Sequence, residues 1–189
     1  MLDHEPIFGK NVIETLSEGM YDNPLFLYRE YVQNSADAID AAKRGGILHN
    51  GEGQIEVVVD KEKRLVFFED NGTGIPRDLV KSMLANIGDS PKNRKTDKGF
   101  RGIGRLGGLG YCQKVCFETS FKGENVKSVL EWDARNLHEI LADPSEKINA
   151  GQLIRKITST REEKCETEKH FFKVCLININ LSSDELLDI

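Results

Sequence analysis

Glu30, Asn34 and Asp37 lie four and then three residues apart in a helix-sized segment, residues 28–40. At helical pitch that spacing stacks a carboxylate, an amide and a second carboxylate along one stripe. An amide oxygen is a neutral hard ligand, suited to a magnesium ion that also takes phosphate oxygens and water. A carboxylate one turn away can hold and polarise a water for in-line attack on a phosphoryl group. Leu25, Tyr28, Val32 and Ile39 form an apolar stripe expected to face a core. Polar residues at helical spacing are more often a solvated face, so this stripe needs support from elsewhere in the chain.

Two glycine-rich boxes supply it. Asp70-Asn-Gly-Thr-Gly74 directly follows an apolar, β-rich run. Its glycines let the backbone turn sharply and approach a ligand closely. An aspartate at a strand end can accept a hydrogen bond from an exocyclic amine such as that of adenine, although Asp/Asn/Gly clusters also make simple turns. The second box, Gly99-Phe-Arg-Gly102-Ile-Gly104, has neither the dinucleotide order Gly-x-Gly-x-x-Gly nor a following Lys-Ser/Thr. That disfavours a Rossmann site and a P-loop. A glycine-laced helix over residues 103–112 would turn its first amides toward an anion, or would serve close helix packing. Wrapping of phosphates is the favoured reading, because Lys92, Arg94, Lys95, Lys98, Arg101 and Arg105 outnumber Asp89 and Asp97 in a chain whose net charge is −5. A basic loop in an acidic domain fits the screening of a polyphosphate.

The elements that must position these residues can be read locally. Asn23-Pro24 starts a helix and Lys43-Arg44-Gly45-Gly46 stops it, so a helix is expected over residues 24–43. A shorter one is expected over 11–17. Residues 54–59 and 64–69 form a hairpin, followed by a helix over 76–84. Residues 86–98 read as a mobile loop. Further strands are expected at 114–121, 126–132, 152–158 and 171–180, with a short helix at 134–141. The pattern predicts an α+β fold: a two-layer α/β sandwich with a mixed, mostly antiparallel sheet covered on one face by helices.

At 189 residues the chain suits a single domain, 1–189. Its net charge of −5 argues against direct nucleic-acid binding. No apolar run reaches membrane-spanning length, and the acidic start is unlike a signal peptide, so a cytoplasmic setting is expected. The four cysteines form no Cys-x-x-Cys pair and the four histidines are scattered, which points to reduced thiols rather than structural zinc.

In order and spacing, Glu-x-x-x-Asn-x-x-Asp-Ala, then Asp-x-Gly-x-Gly, then Gly-x-x-Gly-x-Gly resembles the GHKL superfamily. That group holds gyrase-type topoisomerases, ninety-kilodalton heat-shock chaperones, sensor histidine kinases and MutL proteins. Residues 29–38 look like the chaperone and MutL versions of the first box, and residues 99–102 like the MutL version of the third. The resemblance spans about residues 24–121. It implies the Bergerat ATP-binding fold, with ATP/ADP and Mg2+ as ligands. It implies Glu30 as general base, Asn34 as magnesium ligand and Asp37 in support. It puts Asp70 on the adenine amino group, with Gly72 and Gly74 shaping the base pocket and Ile75 packing on the ring. Asn86 and Lys92 become ribose or phosphate contacts. Gly99, Arg101, Gly102, Ile103 and Gly104 wrap the phosphates, under an ATP lid of about residues 86–104. One departure is visible: the family usually opens a late strand with Gly-Thr, whereas residues 168–174 read Glu-Lys-His-Phe-Phe-Lys-Val. Thr167 is the nearest hydroxyl.

The function expected is Mg-dependent ATP binding and hydrolysis that drives a conformational or dimerisation cycle. The alternative is a nucleotide-gated interaction module with little turnover. A histidine-kinase catalytic domain ranks lower, because no helical segment carries a phosphoacceptor histidine. The resemblance further implies a C-terminal transducer or middle domain beyond this chain, and an ATP-dependent homodimer.

Overall fold

The computed structural model describes residues 7–17, 23–87 and 104–188. Among them, six strands form one sheet: β1 (Ile55–Asp60), β2 (Leu65–Asp70), β3 (Cys112–Ser120), β4 (Val126–Asp133), β5 (Thr158–Lys164) and β6 (Phe171–Ile179). The spatial order is β1-β2-β6-β3-β4-β5, and every neighbouring pair is antiparallel. No parallel pair occurs among the described strands, so the mixed sheet expected from sequence is replaced by a wholly antiparallel one. The last of the described strands, β6, is inserted between β2 and β3.

The helices are α1 (Asn11–Ser17), α2 (Phe26–Arg44), α3 (Val80–Ala85), α4 (Ala134–Ala142) and α5 (Ala150–Ile157). Their contact with the sheet follows from its alternation. In β2, Val66, Phe68 and Asp70 are buried, while Leu65, Phe67 and Glu69 are only partly covered. Successive strand residues face opposite sides, so the buried set defines one packed face. Phe68 anchors α2 there: its ring lies 5.0 Å from those of Tyr28 and Tyr31, centroid to centroid. Phe117 and Trp132 continue the core at 5.1 Å, edge to face. Such aromatic pairs add to the burial of their large apolar area.

The other sheet face is laced with charge. Lys173 pairs with Glu69 at 2.9 Å, Lys127 with Glu118 at 2.7 Å, and Arg161 with Glu131 at 2.7 Å. These charged side chains flank a small apolar strip of Cys116, Val129, Cys175, Phe67 and Ile177, so this side does not demand a second helical layer. Cys112, Cys116 and Cys175 are buried free thiols, and Cys165 is a partly covered one.

Three local expectations are corrected. The core stripe of α2 is Leu27, Tyr31, Ser35, Ile39 and Ala42. Of the residues read as core, Leu25 and Val32 are 39% and 37% exposed. Small residues, Ser35 and Ala42, occupy the close contact, and a reading based on large apolar side chains passes over them. Residues 152–157 of the segment read as a strand, 152–158, belong to α5, and Thr158 opens β5. Asn149 and Gln152 form a reciprocal capping box there, and Leu153, Ile154 and Ile157 fall on one buried helical face. The strand lies just after it: β5 is an exposed edge without apolar alternation, protected by charge instead. Where the sequence suggests a helix over 103–112, Gly104–Gly110 form a 3-10 turn and β3 begins at Cys112. A Cβ at Gly108 would meet Leu176 Cδ2 at 2.7 Å and the Tyr31 hydroxyl at 2.9 Å, so close packing explains that glycine.

Because Phe68 joins α2 to the sheet at a position 2% exposed, Phe68→Ala should lower the unfolding free energy by about 3–5 kcal/mol. Urea denaturation followed by circular dichroism measures this. A loss below about 1 kcal/mol would show that α2 is not held through this ring.

Candidate functional site

Asp70 is the last residue of β2 and is 2% exposed. Its register partners are Ile55 on β1 and Phe172 on β6. Its carboxylate accepts a hydrogen bond from the Gly72 amide at 2.9 Å and another from the Ser35 hydroxyl of α2. Burial pushes its pKa from the ordinary 3.8 up to about 6, and the neighbouring Glu69 adds to the rise; the two hydrogen bonds pull the other way. A carboxyl that is buried, anchored on one side and still raised is suited to meet a ligand's hydrogen-bond donor.

The loop after Asp70 is held against three elements. A Cβ at Gly72 would lie 2.7 Å from the backbone and side chain of Ala38, so only glycine lets the loop touch α2. Gly74 has φ +65°, and a Cβ there would lie 1.9 Å from the Ser120 carbonyl oxygen. Positive φ and close approach both require glycine at that position. The Ile75 amide donates to Thr119 Oγ1 at 2.8 Å, and that hydroxyl donates onward to the Phe171 carbonyl at 2.9 Å. Ile75 is 8% exposed and belongs to the core cluster. At the outer side, Asn71 clamps the chain before β1, accepting from the Gln54 amide at 2.7 Å and donating to the Glu52 carbonyl at 2.9 Å.

Ser35 touches Asp70 and Ala38 touches Gly72, so the α2 turns that carry Asn34 and Asp37 lie directly over this loop. Glu30, Asn34 and Asp37 are all half-buried, along the border between the buried stripe and solvent. That position differs from a wet helix face. Asp37 Oδ1 accepts from Gln33 Nε2 at 3.0 Å, which fixes the second carboxylate. Among the described residues, no group of three or more His, Cys, Asp or Glu could hold a metal ion. The donor chemistry present suits Mg2+ carried on phosphate and water oxygens with one or two protein ligands, rather than a closed protein cage.

The structure brings together Asp70, Gly72, Gly74 and Ile75 with the α2 stripe. Gly104 opens the 3-10 turn and is half-buried. Asn86 follows α3, and its carbonyl accepts a hydrogen bond from the Arg105 guanidinium. That bond joins the two flanks of the segment read as a lid. Lys92, Gly99, Arg101, Gly102 and Ile103 lie outside the described residues. Thr167 is exposed, and its carbonyl accepts from the Gly123 amide at 2.7 Å. Sequence reasoning missed Ser35, Thr119 and His170. Ser35 was legible as the residue one position after Asn34, on the side that turns inward. Thr119 and His170 gave no local signal, because strand pairing brings them to the loop.

A two-layer antiparallel sandwich with an acid at a strand end, beneath a helix that carries Glu, Asn and Asp, defines a nucleotide-binding domain of the GHKL class. The family model for the histidine kinase-, DNA gyrase B- and HSP90-like ATPases matches residues 27–167, and the chain belongs to that family. It is similar to the chaperone protein HtpG of Shewanella loihica, 29% identical over 83% of this chain and 27% of the relative. The HtpG of Shewanella baltica is 28% identical over 75% of this chain and 25% of its own length. That of Shewanella sediminis is 28% identical over 83% and 27%. The chain thus spans about a quarter of the length of the curated relatives it matches. No helix among the described residues is long and apolar enough to cross a membrane.

The raised pKa of Asp70 has a defined pH signature. In the fold the carboxyl keeps a proton that the unfolded chain has already lost. Its contribution is therefore fully favourable below 3.8 and is lost as the pH rises toward about 6. At neutral pH the ionised group costs the fold ~3 kcal/mol relative to an unfolded-chain aspartate. Asp70→Asn should accordingly stabilise the nucleotide-free protein at pH 7, by at most ~3 kcal/mol, with the gain shrinking toward pH 4. Urea denaturation of both proteins across this range measures the difference. A difference independent of pH would contradict the burial of the charge.

Proposed function

We propose that this domain binds ATP with Mg2+ and hydrolyses it, and that the nucleotide drives a conformational or dimerisation cycle. The observation that carries the reading is Asp70, buried at a strand end with an elevated pKa and anchored by Ser35 and Gly72. With two protein donors on the carboxylate, it accepts a further hydrogen bond from the adenine amino group. Ile75 and the turn at Gly72 and Gly74 shape the pocket around the base.

On α2, Asn34 offers an amide oxygen to the metal–phosphate assembly, and Asp37 supports this edge. Bound Mg2+ supplies neutralisation of phosphate charge. Glu30, at the stripe's N-terminal end, holds a water and takes its proton as it attacks the γ-phosphate in line. Asn86 and Lys92 contact ribose or phosphate in this reading. Gly99, Arg101, Gly102, Ile103 and Gly104 wrap the phosphates within a lid of about residues 86–104. The domain is proposed as a single unit, 1–189, that precedes a transducer or middle domain in a longer cytoplasmic protein. Its similarity to HtpG favours a chaperone-like cycle over the slow-turnover interaction module and over a histidine kinase.

Glu30→Ala separates turnover from binding. Affinity for ATP with magnesium, by calorimetry, should stay within about threefold of wild type, while phosphate release falls by at least about 100-fold. If wild type releases no phosphate at all, the interaction module replaces the enzyme. Asp70→Asn should abolish adenine-nucleotide binding, so that calorimetric heats fall to the dilution baseline. Retained affinity would remove Asp70 from the base pocket.

A further inference from the structure

His170 immediately precedes β6, at the place where the family pattern would carry Gly-Thr. Its Nδ1 lies 2.7 Å from the Gly72 carbonyl oxygen. A carbonyl only accepts, so Nδ1 must carry the proton in this contact. Either charge state of the ring can satisfy it, the neutral one as the Nδ1–H tautomer and the imidazolium in any case. The ring is half-buried, and its neighbour Phe171 supplies the carbonyl that receives the Thr119 hydroxyl.

The start of β6 therefore grips the Asp70 loop at two points. One is the His170–Gly72 contact; the other runs from the Ile75 amide through Thr119 to Phe171. The same Gly72 whose carbonyl meets His170 donates its amide to the Asp70 carboxylate at 2.9 Å. A contact that fixes the Gly72 carbonyl therefore restrains the residue whose amide holds the Asp70 carboxylate. The backbone position directly opposite Asp70 on β6 is Phe172, which has no hydroxyl to offer.

We propose that His170 is the positioning residue of the base pocket: by donating from Nδ1 to the Gly72 carbonyl it orients the Asp70 carboxylate toward the purine amino group, in place of a Gly-Thr pair. The inference rests on the nucleotide-site reading above. His170 acts through Gly72 and need not touch the ligand. Phosphate chemistry at Glu30 should be indifferent to it, apart from the occupancy of the site.

The test is ADP binding with magnesium by calorimetry, on wild type, His170→Ala and His170→Asn. An asparagine amide places a donor at the same distance from the backbone as Nδ1, so it can remake the bond. His170→Ala should weaken ADP roughly three- to tenfold, the effect of losing one neutral hydrogen bond. His170→Asn should return affinity to within about twofold of wild type. The two variants should melt within a few degrees of each other without nucleotide. In wild type, two-bond 1H–15N spectra of the neutral ring should show the Nδ1–H tautomer. Unchanged affinity in His170→Ala overturns the proposal, as does an asparagine variant as weak as the alanine one, or an Nε2–H tautomer. Those results leave the nucleotide-site reading standing if wild type binds ADP. A wild type that binds no adenine nucleotide sinks that reading, and this proposal with it.

Discussion

The burial of a single carboxylate, Asp70, organises this domain. A charged group at 2% exposure is tolerated only where fixed donors surround it. Here α2 supplies the Ser35 hydroxyl and the following turn supplies the Gly72 amide. Those two donors dictate much else. They bring α2 down onto β2 at Ser35, with Phe68 and the two tyrosines packed alongside. They force a turn so close to Ala38 that only glycine fits. The placement of Glu30, Asn34 and Asp37 along the border of the site follows from the docking of α2.

The same arrangement couples stability to occupancy. The fold tolerates an ionised carboxylate in a position that favours its proton. A ligand that donates a hydrogen bond to the anion offsets part of that cost, so a nucleotide that binds only the folded state stabilises it through mass action. The tension is local: in the domain as a whole, aromatic contacts and a long antiparallel sheet hold the frame in which one unfavourable group can be kept.

Much of this was legible in the sequence. Asn23-Pro24 and the glycines after Arg44 bracket α2 to within two residues, and the β1–β2 hairpin follows from two β-rich runs joined by a charged turn. Capping and turn chemistry are local, so a local reading captures them. The ordered boxes around Glu30, Asp70 and Gly99 carry the family. The failures have physical reasons too. In α5, Leu153, Ile154 and Ile157 sit in a segment too short for periodicity to separate helix from strand, and the Asn149–Gln152 cap decides it. In β5, Arg161, Glu162 and Glu163 make a strand with no apolar code, because an edge is protected by charge. Thr119 and His170 reach Ile75 and Gly72 across 44 and 98 residues, a distance no local rule spans.

The central position of β6 bears on how the chain acquires its shape during synthesis. The β1–β2 hairpin and the β3–β4 ribbon pair between neighbours in sequence and can form as they leave the ribosome. Until β6 arrives, each keeps an open edge at what becomes the middle of the sheet. Closing both edges requires a segment made more than 100 residues after β2, a non-local step that makes folding slow and leaves intermediates exposed. The grip of Thr119 and His170 on the Asp70 loop forms in that same last step. A nascent chain that ends before β6 therefore has α2 and Asp70, yet lacks the contacts of Phe171 and His170 that hold the Asp70 loop.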